Sequence, residues 1–312
     1  MSINVFLSEK LPENKDKIIS ILSFYKNIHC LNNVLSIGTP VLSDKNLYEI
    51  WEVKDCVEHR NINGINISIS KNYIFGYTII ENIESYDKLK SRISREYSNI
   101  FNLVNQHTMK IVKIWHYLPQ LLKKYSNQKT NYSVLCEARE SVYKSHYKDF
   151  NYPAATVIGI EEDKVLIYFL ASACNSYDAI ENKRQISSYN YPQTIFSEKP
   201  MFSRAVKFTP ADFSEQKIVI SGTASIKGYK SMHELEVIDQ LNESIKNYKT
   251  FINTENNFSN ISRVYLSKSQ VNKVREIEEL LSKKFLSKKY IILEGDICRK
   301  ELLVEIEGIS NV

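Results

Sequence analysis

The chain has 312 residues, with 41 Lys and Arg against 36 Asp and Glu, a formal net charge of +5. That length suits one large domain or two ordinary ones, and the charge is spread out rather than gathered into a stripe for nucleic acid. Hydrophobic residues at 43%, charged residues at 25% and a mean hydropathy of -0.31 exclude a disordered or membrane-embedded chain.

Along the chain, the opening Met1 to Leu7 meets Glu9 and Lys10 too soon for a signal peptide or a span, so a cytoplasmic protein without membrane contact is expected. The first 70 residues have alternating apolar content, read as strands that complete a first domain. From Ile79 to Ile114 the pattern is strand, helix, strand. Ile83, Tyr86, Leu89, Ile93, Tyr97, Ile100 and Val104 recur at spacings of three and four, and a strand from Met109 to Trp115 follows. Two β-rich runs, Ala154 to Ile160 and Lys164 to Ala171, are joined by Glu161-Glu162-Asp163, a hairpin signal. The polar connection from Ser172 to Ser203 is long and aperiodic, which points to function.

The first order then returns: strand Lys217 to Ser221, a helix from about His233 to Ile252 with Leu235, Ile238, Leu241, Ile245 and Tyr248 on one stripe, and strand Ile261 to Leu266. A short helix, Val271 to Phe285, precedes strands Tyr290 to Ile297 and Leu302 to Ile306. This is the pattern of a diverged internal duplication. It predicts an α+β fold of two domains, 1–150 and 151–312, divided near Asn151-Tyr152-Pro153, each a mixed sheet with helices on one face.

The chemistry-bearing residues cluster late. On the last strand Val304 and Ile306 face one way while Glu305 and Glu307 face the other. Pattern alone reads that second face as solvated. A cleft would instead raise the pKa of Glu305 and suit it to general acid work. Arginines interleaved with tyrosines, from Lys183-Arg184 through Tyr191 to Arg204, fit a carboxylate-bearing planar ligand, with solvated loop arginines as the alternative. The run Ser221-Gly222-Thr223-Ala224-Ser225 follows an apolar strand but matches neither a phosphate loop nor a dinucleotide fingerprint. Cys30, Cys56, Cys136, Cys174 and Cys298 are odd in number and irregularly spaced, as reduced thiols are. Six scattered histidines give no metal constellation.

Seven motifs in order carry a resemblance: Lys113-Ile114-Trp115-His116-Tyr117-Leu118-Pro119, Cys136-Glu137-Ala138-Arg139, Tyr152-Pro153-Ala154-Ala155-Thr156-Val157, Arg184-Gln185 with Tyr189 and Tyr191-Pro192, Phe202-Ser203-Arg204-Ala205, Ser221 to Ile226, and Asp296-Ile297-Cys298-Arg299 with Leu302 to Gly308. Together they resemble the chorismatase family over Lys113 to Gly308. The resemblance implies two tandem YjgF/RidA-like (chorismate-mutase-like) domains and cleavage of the enolpyruvyl ether of chorismate to pyruvate and a ring acid, without a cofactor or metal. It assigns Glu305 as proton donor. Arg139, Arg184 and Arg204 are expected to bind the carboxylates, and Tyr143 and Tyr191 to fix the ring.

Ala205 and Cys298 match the positions associated with product choice. Cys298 resembles hydroxybenzoate-forming members and Ala205 the hydrolytic branch, which yields a dihydroxycyclohexadiene carboxylate. The expected product is 3-hydroxybenzoate, with 4-hydroxybenzoate as a companion. A monomer or a RidA-like trimer follows from the same resemblance. An imine deaminase or a non-catalytic aromatic-acid-binding protein is the alternative. The chain departs from the family pattern at Ala138, at Lys183 and at Gly228 to His233.

Overall fold

The computed structural model describes residues 2–43, 46–81, 85–192, 198–252, 261–284 and 289–312. The chain opens with β1 (Ile3–Ser8), β2 (Ile18–Ser23), β3 (Ile28–Leu31), β4 (Val34–Ile37) and β5 (Tyr48–Val53). These form one sheet in the order β1-β5-β2-β4-β3. Next come β6 (Glu58–Ile62), β7 (Ile65–Ile69), β8 (Tyr73–Ile80), α1 (Tyr86–Gln106), β9 (Lys110–Pro119), α2 (Asn131–His146), β10 (Ala154–Ile160) and β11 (Val165–Ser172). Their six strands pair in the order β10-β9-β11-β8-β7-β6.

Local sequence explains several of these boundaries. The β6–β7 turn is Asn63-Gly64, both at positive φ (52° and 84°), the backbone that a two-residue hairpin turn requires and that Asn and Gly tolerate. Ser85 caps α1 by accepting from the Lys88 N–H, and Thr130 caps α2 by accepting from the Ser133 N–H.

The second half repeats this order with β12 (Cys174–Ile180), β13 (Ala205–Pro210), β14 (Lys217–Ala224), a small hairpin of β15 (Ile226–Lys227) and β16 (Lys230–Ser231), α3 (Val237–Lys249), β17 (Ile261–Leu266), α4 (Val274–Lys284), β18 (Tyr290–Glu294) and β19 (Val304–Asn311). Its sheet order is β12-β13-β14-β19-β17-β18. In both halves a three-strand meander is followed by helix, strand, helix and two strands. The last strand inserts beside the third. The internal duplication expected from the sequence is thus present as topology.

Each pair of helices covers one face of its sheet. Ile93, Tyr97 and Val134 pack on Ile114 and Ile167, and Leu241, Ile245 and Ile277 pack on Val264 and Ile306. The opposite faces of both sheets share one interior with the N-terminal sheet, where Trp51, Phe75, Trp115, Tyr168, Phe208 and Ile309 meet. A buried ionic cluster crosses that interior. Arg263 on β17 pairs with Glu49 on β5 at 2.5 Å and with Glu307 on β19 at 3.2 Å. Lys113 on β9 reaches Glu307 at 2.5 Å. Two cations and two carboxylates therefore tie three sheets together.

Four expectations need correction. β10 and β11 complete the first sheet, so the change of sheet falls between Ser172 and Cys174, not at residues 150 and 151. Glu161-Glu162-Asp163 does not close a hairpin, because β9 lies between β10 and β11, parallel to one and antiparallel to the other. Both strands are buried along their whole length, and a continuous apolar run does not reveal its neighbour. The first strands form their own sheet, and the aperiodic connection holds β12 and a 3-10 turn at Ser188–Asn190. Ile83 and Phe285 lie outside the described residues.

Candidate active site

β10 is an edge in its own sheet, yet it is buried against the second repeat. Gly159 and Asp296 exchange backbone hydrogen bonds of 2.8 and 3.0 Å, and the Ala155 N–H donates to Ser221 Oγ at 2.9 Å. Along this seam opens a cavity of about 250 Å³, at the small end for organic ligands. One wall is α2 and β10 of the first repeat, with Tyr132, Cys136, Arg139 and Ala155. The other is β14 and β19 of the second, with Gly222, Ala224 and Glu305, and the loops add Tyr191, Phe202, Cys298 and Arg299.

Strand alternation puts Glu305 here. Val304 and Ile306 are spent on the core under the helices, so Glu305 turns to the opposite face and is 5% exposed. Its Oε1 has no hydrogen-bond partner. The carboxyl rests over Gly222, where a Cβ would overlap it. β14 is irregular between Ile220 and Thr223, and a glycine in such a strand lets a side chain approach the backbone. Burial, and then the nearby negative charge of Glu307, push Glu305 up to about 8, while Lys113 and Arg204 pull the other way. Glu307 shares its strand face but not its state. Burial would raise it, yet Lys113 and Arg263 hold it at about 2. The solvated face that pattern alone suggests does not exist: Glu307 is 1% exposed.

The other wall is a ladder of cations and rings. Arg139 lies 5.9 Å from the Phe202 ring, Arg204 lies 5.1 Å from Phe202 and 5.7 Å from Tyr191, and Arg299 lies 5.6 Å from Tyr191. Arg139 is fully buried on α2, and its Nε and Nη1 have no hydrogen-bond partner. A buried guanidinium with idle donors is costly unless an anion completes it. Arg204 is better satisfied, donating to Tyr191 Oη at 2.7 Å and Ile186 O at 3.0 Å. Arg299 is held by Tyr229 O at 2.9 Å and Ser231 Oγ at 3.0 Å. Behind Arg139, His116 bridges Thr156 O (2.8 Å) and Tyr97 Oη (2.6 Å). Burial, together with the Arg139 charge, pushes His116 down to about 3, so the ring is neutral.

Among the sequence candidates, Glu305, Arg139, Tyr191 and Cys298 line this cavity, and Arg204 backs its aromatic wall. Burial pushes the Cys298 thiol up to about 12, with Glu305 adding to the shift, so Cys298 is an uncharged wall. Three candidates fall elsewhere. Tyr143 stacks on Tyr152 at 5.4 Å, in the aromatic cluster with Tyr97 and Phe101 behind α2. Arg184 is captured by α3, ion-paired to Glu243 and donating to Asn247 Oδ1 at 2.8 Å. Ala205 opens β13 just after Arg204 and packs into the core beneath α3. The small residue opposite Glu305 is instead Ala224, its cross-strand partner. Arg299, Phe202 and Gly222 belong to the quoted motifs but were given no role. Arg299 had a visible signal, since it adjoins Cys298.

A sheltered carboxyl faces buried guanidinium groups across a small cavity at the junction of two tandem α+β repeats, an arrangement with the chemistry to bind an anion and to donate a proton. Chorismatases are among the known proteins that this chain resembles. The family described as "Chorismatase FkbO/Hyg5-like, N-terminal" matches residues 49–171. A 3-hydroxybenzoate synthase of Streptomyces hygroscopicus is 26% identical over 279 residues, covering 84% of this chain and 80% of that protein. A chorismatase of Streptomyces rapamycinicus is 24% identical over 290 residues, covering 88% and 85%. A chorismatase crystal structure superposes with a TM-score of 0.85 over 99% of both chains at 22% identity. Residues 49–171 thus match the chorismatase N-terminal family, and the chain as a whole is similar to chorismatases in sequence and in fold.

Proposed function

We propose that this protein cleaves the enolpyruvyl ether of chorismate, releasing pyruvate and 3-hydroxybenzoate. The observation that carries the proposal is the Glu305 carboxyl: buried, without a partner at Oε1, pushed up to about 8, and facing Arg139 with its idle donors. An enol ether is cleaved by protonating its terminal methylene carbon, and a carboxylic acid neutral near pH 7 is the donor that step needs. Arg139 takes one substrate carboxylate. Arg204 and Arg299, stacked on Tyr191, supply the field for the second. The same cations stabilise the dianion while the acid loses its proton.

The resulting oxocarbenium ion is trapped by the neighbouring ring hydroxyl or by water. In the first case the two products together have the composition of chorismate, and no water is consumed. In the second, one water is added and the ring leaves as a dihydroxycyclohexadiene carboxylate. Cys298 on the cavity wall supports the first outcome. The contrary sign from Ala205 loses its weight, because that side chain faces the core.

The test is incubation with chorismate, with pyruvate followed by a coupled lactate dehydrogenase assay and the ring acids separated by chromatography. Pyruvate with 3-hydroxybenzoate is expected. No pyruvate at micromolar enzyme sinks the proposal, and pyruvate with only the diene diol sinks the product assignment.

A further inference from the structure

Between Glu305 and the ionic cluster stands one hydroxyl group. Thr156 Oγ1 donates to Glu307 Oε2 at 2.6 Å and accepts from the Gly222 N–H at 3.1 Å. Its own carbonyl accepts from His116 on the Arg139 side. Thr156 is 1% exposed and belongs to the first repeat, whereas Gly222, Glu305 and Glu307 belong to the second. The Gly222 backbone is also the surface on which the Glu305 carboxyl rests. That N–H is therefore a backbone donor on the residue over which the carboxyl rests, and Thr156 occupies it. A donor released there would bond the charged form of Glu305 and favour proton loss.

We propose that Thr156 is a positioning residue for the proton donor: its hydroxyl, oriented by the Glu307 carboxylate, holds the Gly222 N–H away from Glu305 and so keeps that carboxyl without a backbone partner. The hydroxyl is fixed by charge. Glu307 is an anion that can only accept, so the Thr156 proton points to it and a lone pair is left for Gly222. The inference rests on the reading of Glu305 as donor.

The test compares the pH dependence of pyruvate release in the full chain, in Thr156→Val and in Thr156→Ser. A valine keeps the volume and loses both hydrogen bonds, whereas a serine keeps both. One competing hydrogen bond is worth about one pKa unit. Thr156→Val should therefore move the alkaline limb about one unit toward acid, lowering the rate about fivefold at pH 8 and little below pH 6. Thr156→Ser should keep the parent profile.

A valine profile that coincides with the parent overturns the inference. So does a serine profile displaced as far as that of valine, because packing would then explain both. If valine does not fold, Thr156→Cys, which keeps only a weak donor and acceptor, replaces it with the same expected displacement. Glu305→Gln is run alongside. Pyruvate release at the parent rate in that variant removes the donor reading itself, whereas an inactive Glu305→Gln with an unmoved valine profile removes only the role of Thr156.

Discussion

At the scale of single residues, the pair Glu305 and Glu307 shows how two identical side chains on one strand face acquire opposite states. Both are buried, but Glu307 meets Lys113 and Arg263 while Oε1 of Glu305 meets nothing. Activity that depends on protonated Glu305 falls as pH rises through about 8. Glu305→Gln should reduce pyruvate release 10²- to 10⁴-fold, while equilibrium binding of chorismate survives. Stability carries the same signature. The Glu305 pKa is about 4.5 in the unfolded chain and about 8 in the fold, so between those values the folded state holds a proton that the unfolded state has released. The contribution of Glu305 is whole below pH 4.5 and is lost on the way to 8. Thermal melts should thus show the Tm of Glu305→Gln gaining on the parent from pH 5 to pH 8 and tracking it above. Parallel curves across that window refute the assignment. Arg139→Met should raise KM for chorismate at least tenfold, since it deletes a fully buried cavity guanidinium with two idle donors, and an unchanged KM contradicts its role.

At the scale of elements, the site depends on an irregularity in β14 that puts Gly222 under the Glu305 carboxyl. Gly222→Ala should cost about 1–3 kcal/mol of stability by overpacking and should lower the rate of pyruvate release at least tenfold. Urea melts and the coupled assay measure the two effects, and a variant with parent activity shows that the carboxyl has room to move. The sequence made much of this legible and some of it not. The stripes of α1 and of α3 from Ile238 on, the strand Ile261–Leu266 and the duplicated order were readable because burial imposes a period on an element, whereas Leu235, expected on the α3 stripe, lies before the helix and is exposed. The partner of a strand leaves no period, so the run from Ala154 to Ala171 read as a hairpin although β9 separates its halves. The same limit governs the arginines. Spacing marked Arg184 and Arg204 alike, but only the fold shows that Glu243 and Asn247 on α3 claim the first. Ala205 likewise carries no mark of its burial under α3, and only strand pairing shows that Ala224 is the small residue opposite Glu305.

At the scale of the whole molecule, the N-terminal sheet joins the repeats through charge as well as apolar packing. Glu49 on β5 accepts two hydrogen bonds from Arg263, which also reaches Glu307. The strand that carries Glu305 is therefore braced by a sheet outside either repeat. Deleting Arg263 leaves two buried carboxylates with Lys113 as their remaining cation in the cluster, and an uncompensated buried charge costs about 3–5 kcal/mol. Arg263→Met should lose that much in urea melts at pH 8. Part of the loss should return at pH 5, because Glu307 loses one of the two cations that hold its carboxyl down and takes up a proton more readily there than in the parent. The double variant Arg263→Met with Glu49→Gln removes one orphaned charge and should recover stability at pH 8 relative to the single variant. If the double variant is no more stable than Arg263→Met, the cluster is not an electrostatic brace, and the N-terminal sheet is held by the packing of Trp51 on Trp115 and Phe75 alone.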